Sequence, residues 1–316
     1  MDTHLNKIQG ALWGTVLGDA LGLPFEGVAS RDLVSLRSAV DRRIERTTSW
    51  GYSDDSEMML LLAQSLIEAG SFDPCHVVHT LAHHHDPARG YGKGTRRLLE
   101  AYLRGTHMAD LPTCVWPDGS KATGGTVRLP PLVCWYAHNP VDNLSRQIER
   151  ATACTHAHPE ALQASQLFGH SLHWLLLHPP TTPREVGASL LAYLDQQRLL
   201  LPHAYGHTSI KARLTRWLHA PFDASALIAD FGHGLLAREA VPCALACVLG
   251  ASSFEQAVTH AVYLGGDTDT IAALTGALSG ALMGLDALAL GWRQRLHHEP
   301  RLHIIDTFSR ALCRSK

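Results

Sequence analysis

The chain has 316 residues, 46% of them hydrophobic and 18% charged, which is ample for a sizeable core. With 27 Lys and Arg against 29 Asp and Glu, the formal net charge is −2. Nothing in that balance points to a basic face for nucleic acid or a polybasic arm for a membrane surface. The cysteines (Cys75, Cys114, Cys134, Cys154, Cys243, Cys247 and Cys313) are scattered and odd in number. They read as reduced thiols in a cytoplasmic setting, not as a disulfide framework. Cys243 and Cys247 share one apolar helix face without a companion pair, so packing is expected there and not zinc.

Helical periodicity runs through the chain and strand patterning is almost missing. The first segment, 6–22, carries Gly10, Gly14, Gly18 and Gly22 at a spacing of four. Asp19 interrupts its apolar run, so a signal peptide is not expected. Glycine weakens a helix, so a glycine stripe implies close approach of another backbone. Further helices are expected over 55–69, 74–85, 93–104, 125–138, 142–153, 158–177, 183–195, 224–231, 238–249, 254–264, 268–284 and 300–313. Several begin at proline, as at Pro74, Pro159 and Pro183, where a missing N–H costs nothing. The late helix repeats the stripe with Gly276, Gly280 and Gly284. Both striped helices are expected at the centre of the fold. The 271–290 stretch is apolar, but it is rich in small residues and contains Asp286, so a buried helix is expected and not a membrane span. The turn 178–183 need not separate domains, and one all-α domain over 1–316 is expected.

Two acidic clusters stand at helix starts. Ser53-Asp54-Asp55-Ser56 opens one helix, and Gly265-Gly266-Asp267-Thr268-Asp269-Thr270 opens another. Capping and the helix dipole account for Ser53 and one acid; they account less well for two adjacent aspartates. Asp267 and Thr270 stand at i,i+3 and share a face. Oxygen-only donors of this kind suit a hard divalent cation, whereas zinc would call for His or Cys. The two clusters are expected to form two halves of one site, if their helix N-termini converge.

Six motifs in order resemble the ADP-ribosylglycohydrolase family over nearly the whole chain. They are Gly18-Asp19-Ala20-Leu21-Gly22 with Pro24-Phe25-Glu26, Ser53 to Ser56, Arg89-Gly90-Tyr91-Gly92-Lys93-Gly94-Thr95, Gly124-Gly125-Thr126-Val127-Arg128-Leu129-Pro130-Pro131, Thr155-His156, and Gly265 to Thr270. Ser53 stands where the family usually has threonine, and it keeps the hydroxyl. The resemblance implies a compact orthogonal helical bundle with two divalent cations, Mg²⁺ or Mn²⁺. It implies Ser53, Asp54, Asp55, Asp267, Asp269 and Thr270 as ligands. The activity implied is hydrolysis between the distal ribose C1″ of ADP-ribose and a protein side chain, with arginine the preferred acceptor. An ADP-ribosylated protein would be the substrate and ADP-ribose a product, with neither nucleic acid nor membrane as partner. The role would be reversal of a regulatory or a toxin-catalysed modification.

Chemically, carboxylates stabilise the oxocarbenium-like state through which a glycosidic bond breaks. With the family pattern, Glu26, Asp55 and Asp267 are the catalytic candidates; without it, Glu26 reads as a solvated loop glutamate. Glycine-rich loops supply N–H donors for a diphosphate. Gly119, Ser120 and Gly124 are expected there, with Gly90, Tyr91 and Gly92 lining the cleft. Thr123 stands where relatives often have asparagine, so adenosine-side contacts depart from the family pattern. The family resemblance implies that His156 sits near the diphosphate or ribose. His83-His84-His85 reads as a solvated helix end, since consecutive residues point different ways, and Asp86 is a candidate partner for a substrate guanidinium. The alternatives are a catalytically weak ADP-ribose-binding or partner-masking member, and an unrelated two-metal phosphohydrolase.

Overall fold

A computed structural model describes residues 3–29, 32–179, 183–200 and 209–314. The α-helices are α1 (Thr3–Gly22), α2 (Leu33–Arg46), α3 (Asp54–Ala69), α4 (Pro74–His84), α5 (Lys93–Leu103), α6 (Gly124–Val127), α7 (Pro130–Trp135), α8 (Val141–Ala153) and α9 (Pro159–Leu177). They continue with α10 (Pro183–Gln196), α11 (Ile210–Trp217), α12 (Ala224–Phe231), α13 (Ala237–Leu249), α14 (Phe254–Val262), α15 (Thr268–Met283), α16 (Leu290–Gln294) and α17 (His303–Arg314). The fold is all-α; among the described residues the only β pairing is an isolated bridge between Ala122 and Leu236.

The glycine stripes decide the architecture. The pairing of α1 with α15 is the most extensive helix contact in the molecule. A Cβ at Gly10 would strike the carbonyl of Gly280, one at Gly14 that of Gly276, one at Gly18 that of Ala272, and one at Gly22 that of Thr268. The pairing is therefore antiparallel, and the C-terminal end of α1 lies against the N-terminal end of α15. Most residues of both helices are buried. α15 also packs on α9, α13 and α14, and one continuous apolar cluster runs from Ile8 to Phe308. No helix among the described residues is long and apolar enough to cross a membrane.

Four segments differ from the sequence expectation, the five-residue α16 among them. The helix expected over 125–138 is two short pieces, because Pro130 and Pro131 come two residues after α6 and Pro130 opens α7; the proline ring stops the preceding helix. α2 was not expected, since it buries only Leu36 and Val40. α11 was missed for the same reason, with Ile210, Leu214 and Trp217 its only buried residues.

Candidate active site

The antiparallel register carries the late acidic cluster to the end of α1. Gly265 and Gly266 both have left-handed φ, at 67° and 69°, and pack where side chains would strike Val28 O and His233 O. The turn they make is tied to the loop after α1. Gly27 N–H donates to Gly266 O at 2.8 Å, and Gly266 N–H donates to Val28 O at 2.9 Å. Asp267 N–H donates to His233 O at 2.8 Å, and the Thr268 hydroxyl donates to Gly22 O at 2.9 Å. These bonds bring Glu26 beside Asp267 and Asp269. One carboxylate oxygen from each of the three lies within 4.8 Å of the others.

The early cluster is held by Asp19, a residue to which the sequence reading gave no role at the site. Asp19 is fully buried in α1. It accepts from Ser53 N–H at 3.0 Å, from Ser56 N–H at 3.0 Å and from the Ser56 hydroxyl. A carboxylate from one helix thus caps the N-terminus of another, where orphan N–H groups and the dipole favour negative charge. Burial pushes the Asp19 carboxyl up, against the donors from Ser53 and Ser56 that pull it down. Ser53 itself caps α3, accepting from Asp55 N–H at 3.2 Å. The signal for Asp19 was present: it is the only acid within the apolar run of α1.

All four aspartates are therefore gathered at one place. Ser53, Asp54, Asp55, Asp267, Asp269, Thr270 and Glu26 line a single cavity of about 170 Å³. Asp55, Asp267 and Asp269 are buried and Glu26 is exposed. Burial, then the charges of Asp19, Glu26 and Asp267, pushes Asp54 up to about 7. Burial, with the charge of Glu26, pushes Asp267 up to about 6. Asp55 and Asp269 are raised further, by burial first and then by their neighbouring acids. Asp55 Oδ2 and Asp267 Oδ2 are buried without any hydrogen-bond partner. Orphaned carboxylate oxygens at an acidic cavity are what a bound cation would satisfy, and the donor set, oxygen throughout, fits Mg²⁺ or Mn²⁺.

The cavity opens onto a second of about 640 Å³; Gly92, Thr95, Ala122, His156 and Leu235 line both. Gly90, Thr123 and Gly124 line the acidic part, and Gly119 and Ser120 line the larger one. α6 is only four residues long, so the expected helix N-terminus for an anion is not built. His156 is buried at the junction, its Nδ1 2.7 Å from Thr155 Oγ1. Arg89 also faces the acidic cavity, a residue the motif contained but to which no role was given. Its guanidinium is held by Glu299 at 2.6 and 3.1 Å, donates to Tyr52 O at 3.0 Å, and stacks over the Tyr52 ring.

Two expected cleft residues do not line either cavity. Tyr91 is 1% exposed and points inward, its hydroxyl donating to Glu57 Oε2 at 2.8 Å. Asp86 caps the turn Pro87–Arg89, accepting from Ala88 N–H at 2.9 Å, with Oδ2 3.9 Å from Arg89 Nε. Glu57 explains both placements. It is buried one turn into α3 and accepts Tyr91 O–H and Asp86 N–H, with Arg301 Nε 3.3 Å away. It anchors the glycine loop from beneath, so the loop's backbone, not Tyr91, meets the cavity.

A family model for ADP-ribosylglycohydrolase matches residues 1–315. The chain belongs to the ADP-ribosylglycohydrolase family. Among its relatives, ADP-ribosylhydrolase ARH3 of Homo sapiens is 27% identical, with 92% of this chain and 89% of the relative aligned. ADP-ribosylarginine hydrolase Tri1 of Serratia proteamaculans is 26% identical, over 94% of this chain and 77% of the relative. A solved structure titled ADP-ribosylglycohydrolase-related protein complex superposes with a TM-score of 0.70 at 26% identity, covering 99% of each chain. The family assignment makes the chain a hydrolase of the ADP-ribosyl class.

Proposed function

We propose that the protein is a metal-dependent ADP-ribosyl-acceptor hydrolase that removes ADP-ribose from a modified protein, with arginine as the preferred acceptor. The observation carrying this reading is the convergence of Asp54, Asp55, Asp267 and Asp269 on one cavity, two of them with orphaned buried oxygens. The name of the Tri1 relative, an ADP-ribosylarginine hydrolase, supports arginine. Ser53, Asp54, Asp55, Asp267, Asp269 and Thr270 would hold a pair of Mg²⁺ or Mn²⁺ ions. When bound, such ions orient ribose hydroxyls and a water and neutralise the repelling acids.

The chain's own groups divide the remaining work. Glu26 is the one solvent-exposed acid of the cluster, so its carboxylate can take a proton from the water as that oxygen bonds to ribose C1″ and pass it on to the acceptor nitrogen that departs. Asp55 and Asp267 present negative oxygens to the sugar carbon as positive charge develops on it. The larger cavity, about 640 Å³, has the size of a nucleotide pocket and takes the ADP moiety. Exposed free thiols at Cys75, Cys114 and Cys313 support a reducing, cytoplasmic setting, and ADP-ribose leaves as product.

The test is release of ADP-ribose from proteins modified on arginine or serine, with and without EDTA. Arginine-linked substrate should turn over fastest and EDTA should abolish release, as should Asp54→Ala and Asp269→Ala in folded protein. Full activity in EDTA, or in both variants, would end the metal mechanism. Faster release from serine would end the arginine assignment alone.

A further inference from the structure

Arg128 is wholly buried in the link between α6 and α7, and no carboxylate pairs with it among the described residues. Its Nη2 donates to Ala151 O at 2.7 Å and to Thr155 Oγ1 at 2.7 Å, with Cys154 Sγ at 3.4 Å. Its Nε and Nη1 have no partner at all. Burying an unpaired guanidinium is costly, and packing alone could have been met by an apolar side chain. The charge is therefore tied to something the site requires.

The neighbouring bonds show what it does. A guanidinium only donates, so it occupies a lone pair of Thr155 Oγ1. The hydroxyl hydrogen of Thr155 is left for the acceptor 2.7 Å away, His156 Nδ1. That bond makes Nδ1 the bare nitrogen and puts the ring proton on Nε2. The ring packs against Gly124 and Gly125: a Cβ at Gly124 would be 3.2 Å from Cε1 and 3.3 Å from Nε2. His156 lines both cavities at their junction. Burial, aided by the Arg128 charge, holds the imidazole down at about 3, so it stays neutral under working conditions.

We infer that Arg128 and Thr155 are positioning residues that fix His156 as an Nε2–H donor to an anionic oxygen of the substrate, at the step from ribose to diphosphate. The guanidinium biases the donor electrostatically while never touching the ligand. His156 then serves as a hydrogen-bond donor and takes no part as a proton acceptor. This inference rests on the nucleotide reading above for the identity of the ligand, but the ring tautomer does not.

Long-range ¹H–¹⁵N NMR of imidazole-labelled protein at neutral pH reads the tautomer directly, without any activity. The wild type should show His156 with the proton on Nε2. Thr155→Val should mix or reverse the tautomers and weaken ADP-ribose binding, measured calorimetrically, by about tenfold to a hundredfold, the range for a bond to a charged oxygen. Thr155→Ser should restore both. His156→Gln, which keeps an N–H near the Nε2 position, should bind more tightly than His156→Ala. A proton on Nδ1 in the wild type, or an unchanged tautomer in folded Thr155→Val, would overturn the relay. Intact tautomer control in a protein without ADP-ribose affinity would overturn only the assigned ligand.

Discussion

Replacing Asp54 with asparagine should stabilise the metal-free protein at neutral pH, the reverse of what removing a native carboxylate usually does. Asp54 titrates near 7 in the fold against an ordinary 3.8, which corresponds to about 4 kcal/mol against the ionised form. The sign follows from linkage. A raised folded value means the folded state holds the proton longer, so stability is fully present below about 4 and is lost as pH rises toward 7. One neutral residue still leaves Asp55, Asp267, Asp269 and Glu26 repelling one another, so roughly half of that, ~2 kcal/mol, should be recovered. The charge lost from the first turn of α3 costs ~0.5 kcal/mol, which is smaller. The net is a melting temperature raised by about 3 °C in EDTA at pH 7.5, using about 2 °C per kcal/mol for a chain of this size. The gain should vanish near pH 4, and millimolar Mg²⁺ should reverse the order by stabilising the wild type alone. Scanning fluorimetry across pH with and without Mg²⁺ reads all of this. An Asp54→Asn protein less stable than wild type in EDTA at pH 7.5 would refute the electrostatic account of the cluster.

Gly14→Ala should cost ~2–4 kcal/mol in chemical denaturation, because its methyl would strike the Gly276 backbone and neither helix can yield locally; a loss under 1 kcal/mol would mean the two helices can separate freely. Asp19→Ala should unfold more easily by ~2–3 kcal/mol and bind Mn²⁺ at least tenfold more weakly in titration calorimetry, since two N–H groups and a hydroxyl at the start of α3 lose their acceptor; unchanged Mn²⁺ affinity would deny Asp19 its positioning role. His170 is buried between Ser145 and Tyr193 and held down at about 4, so the folded state refuses a proton that the unfolded state accepts. Stability should fall as pH drops from 6.5 toward 4, by up to about 3 kcal/mol, and His170→Gln should flatten that limb in acid denaturation. Tyr91→Phe should cost ~1–2 kcal/mol by depriving buried Glu57 of a donor, with KM for the ADP-ribosylated substrate changed less than twofold; a large KM effect would put the Tyr91 hydroxyl back in the cleft.

The parts of this molecule legible in sequence are those whose signal is local or periodic. The stripes at Gly10 to Gly22 and Gly276 to Gly284 announced two central, closely packed helices, though not that they pack on each other, and the aspartate pairs announced helix starts. Where a single side chain points was not legible. Glu57 and Asp55 sit in the same first turn of α3, yet one faces the cavity and the other anchors the loop beneath it. Tyr91 looked like a cleft residue because its neighbours are glycines, but those glycines let the backbone line the cavity while the ring turns inward. Arg128 stood inside a recognised motif, and nothing in the motif said that it would be buried without a counter-ion. Predominantly polar surface helices such as α2 were lost because they bury only one pair of apolar side chains.

The antiparallel clasp between α1 and α15 also orders events in time. During synthesis the first helix leaves the ribosome with four bare glycines on one face and no surface to receive them. Its partner is completed only some 260 residues later, at Met283. Contacts of such long sequence separation form slowly and leave the waiting segment exposed. A nascent or prematurely ended chain therefore has neither its central seam nor its acidic cavity, and chemistry switches on only once α15 has been made.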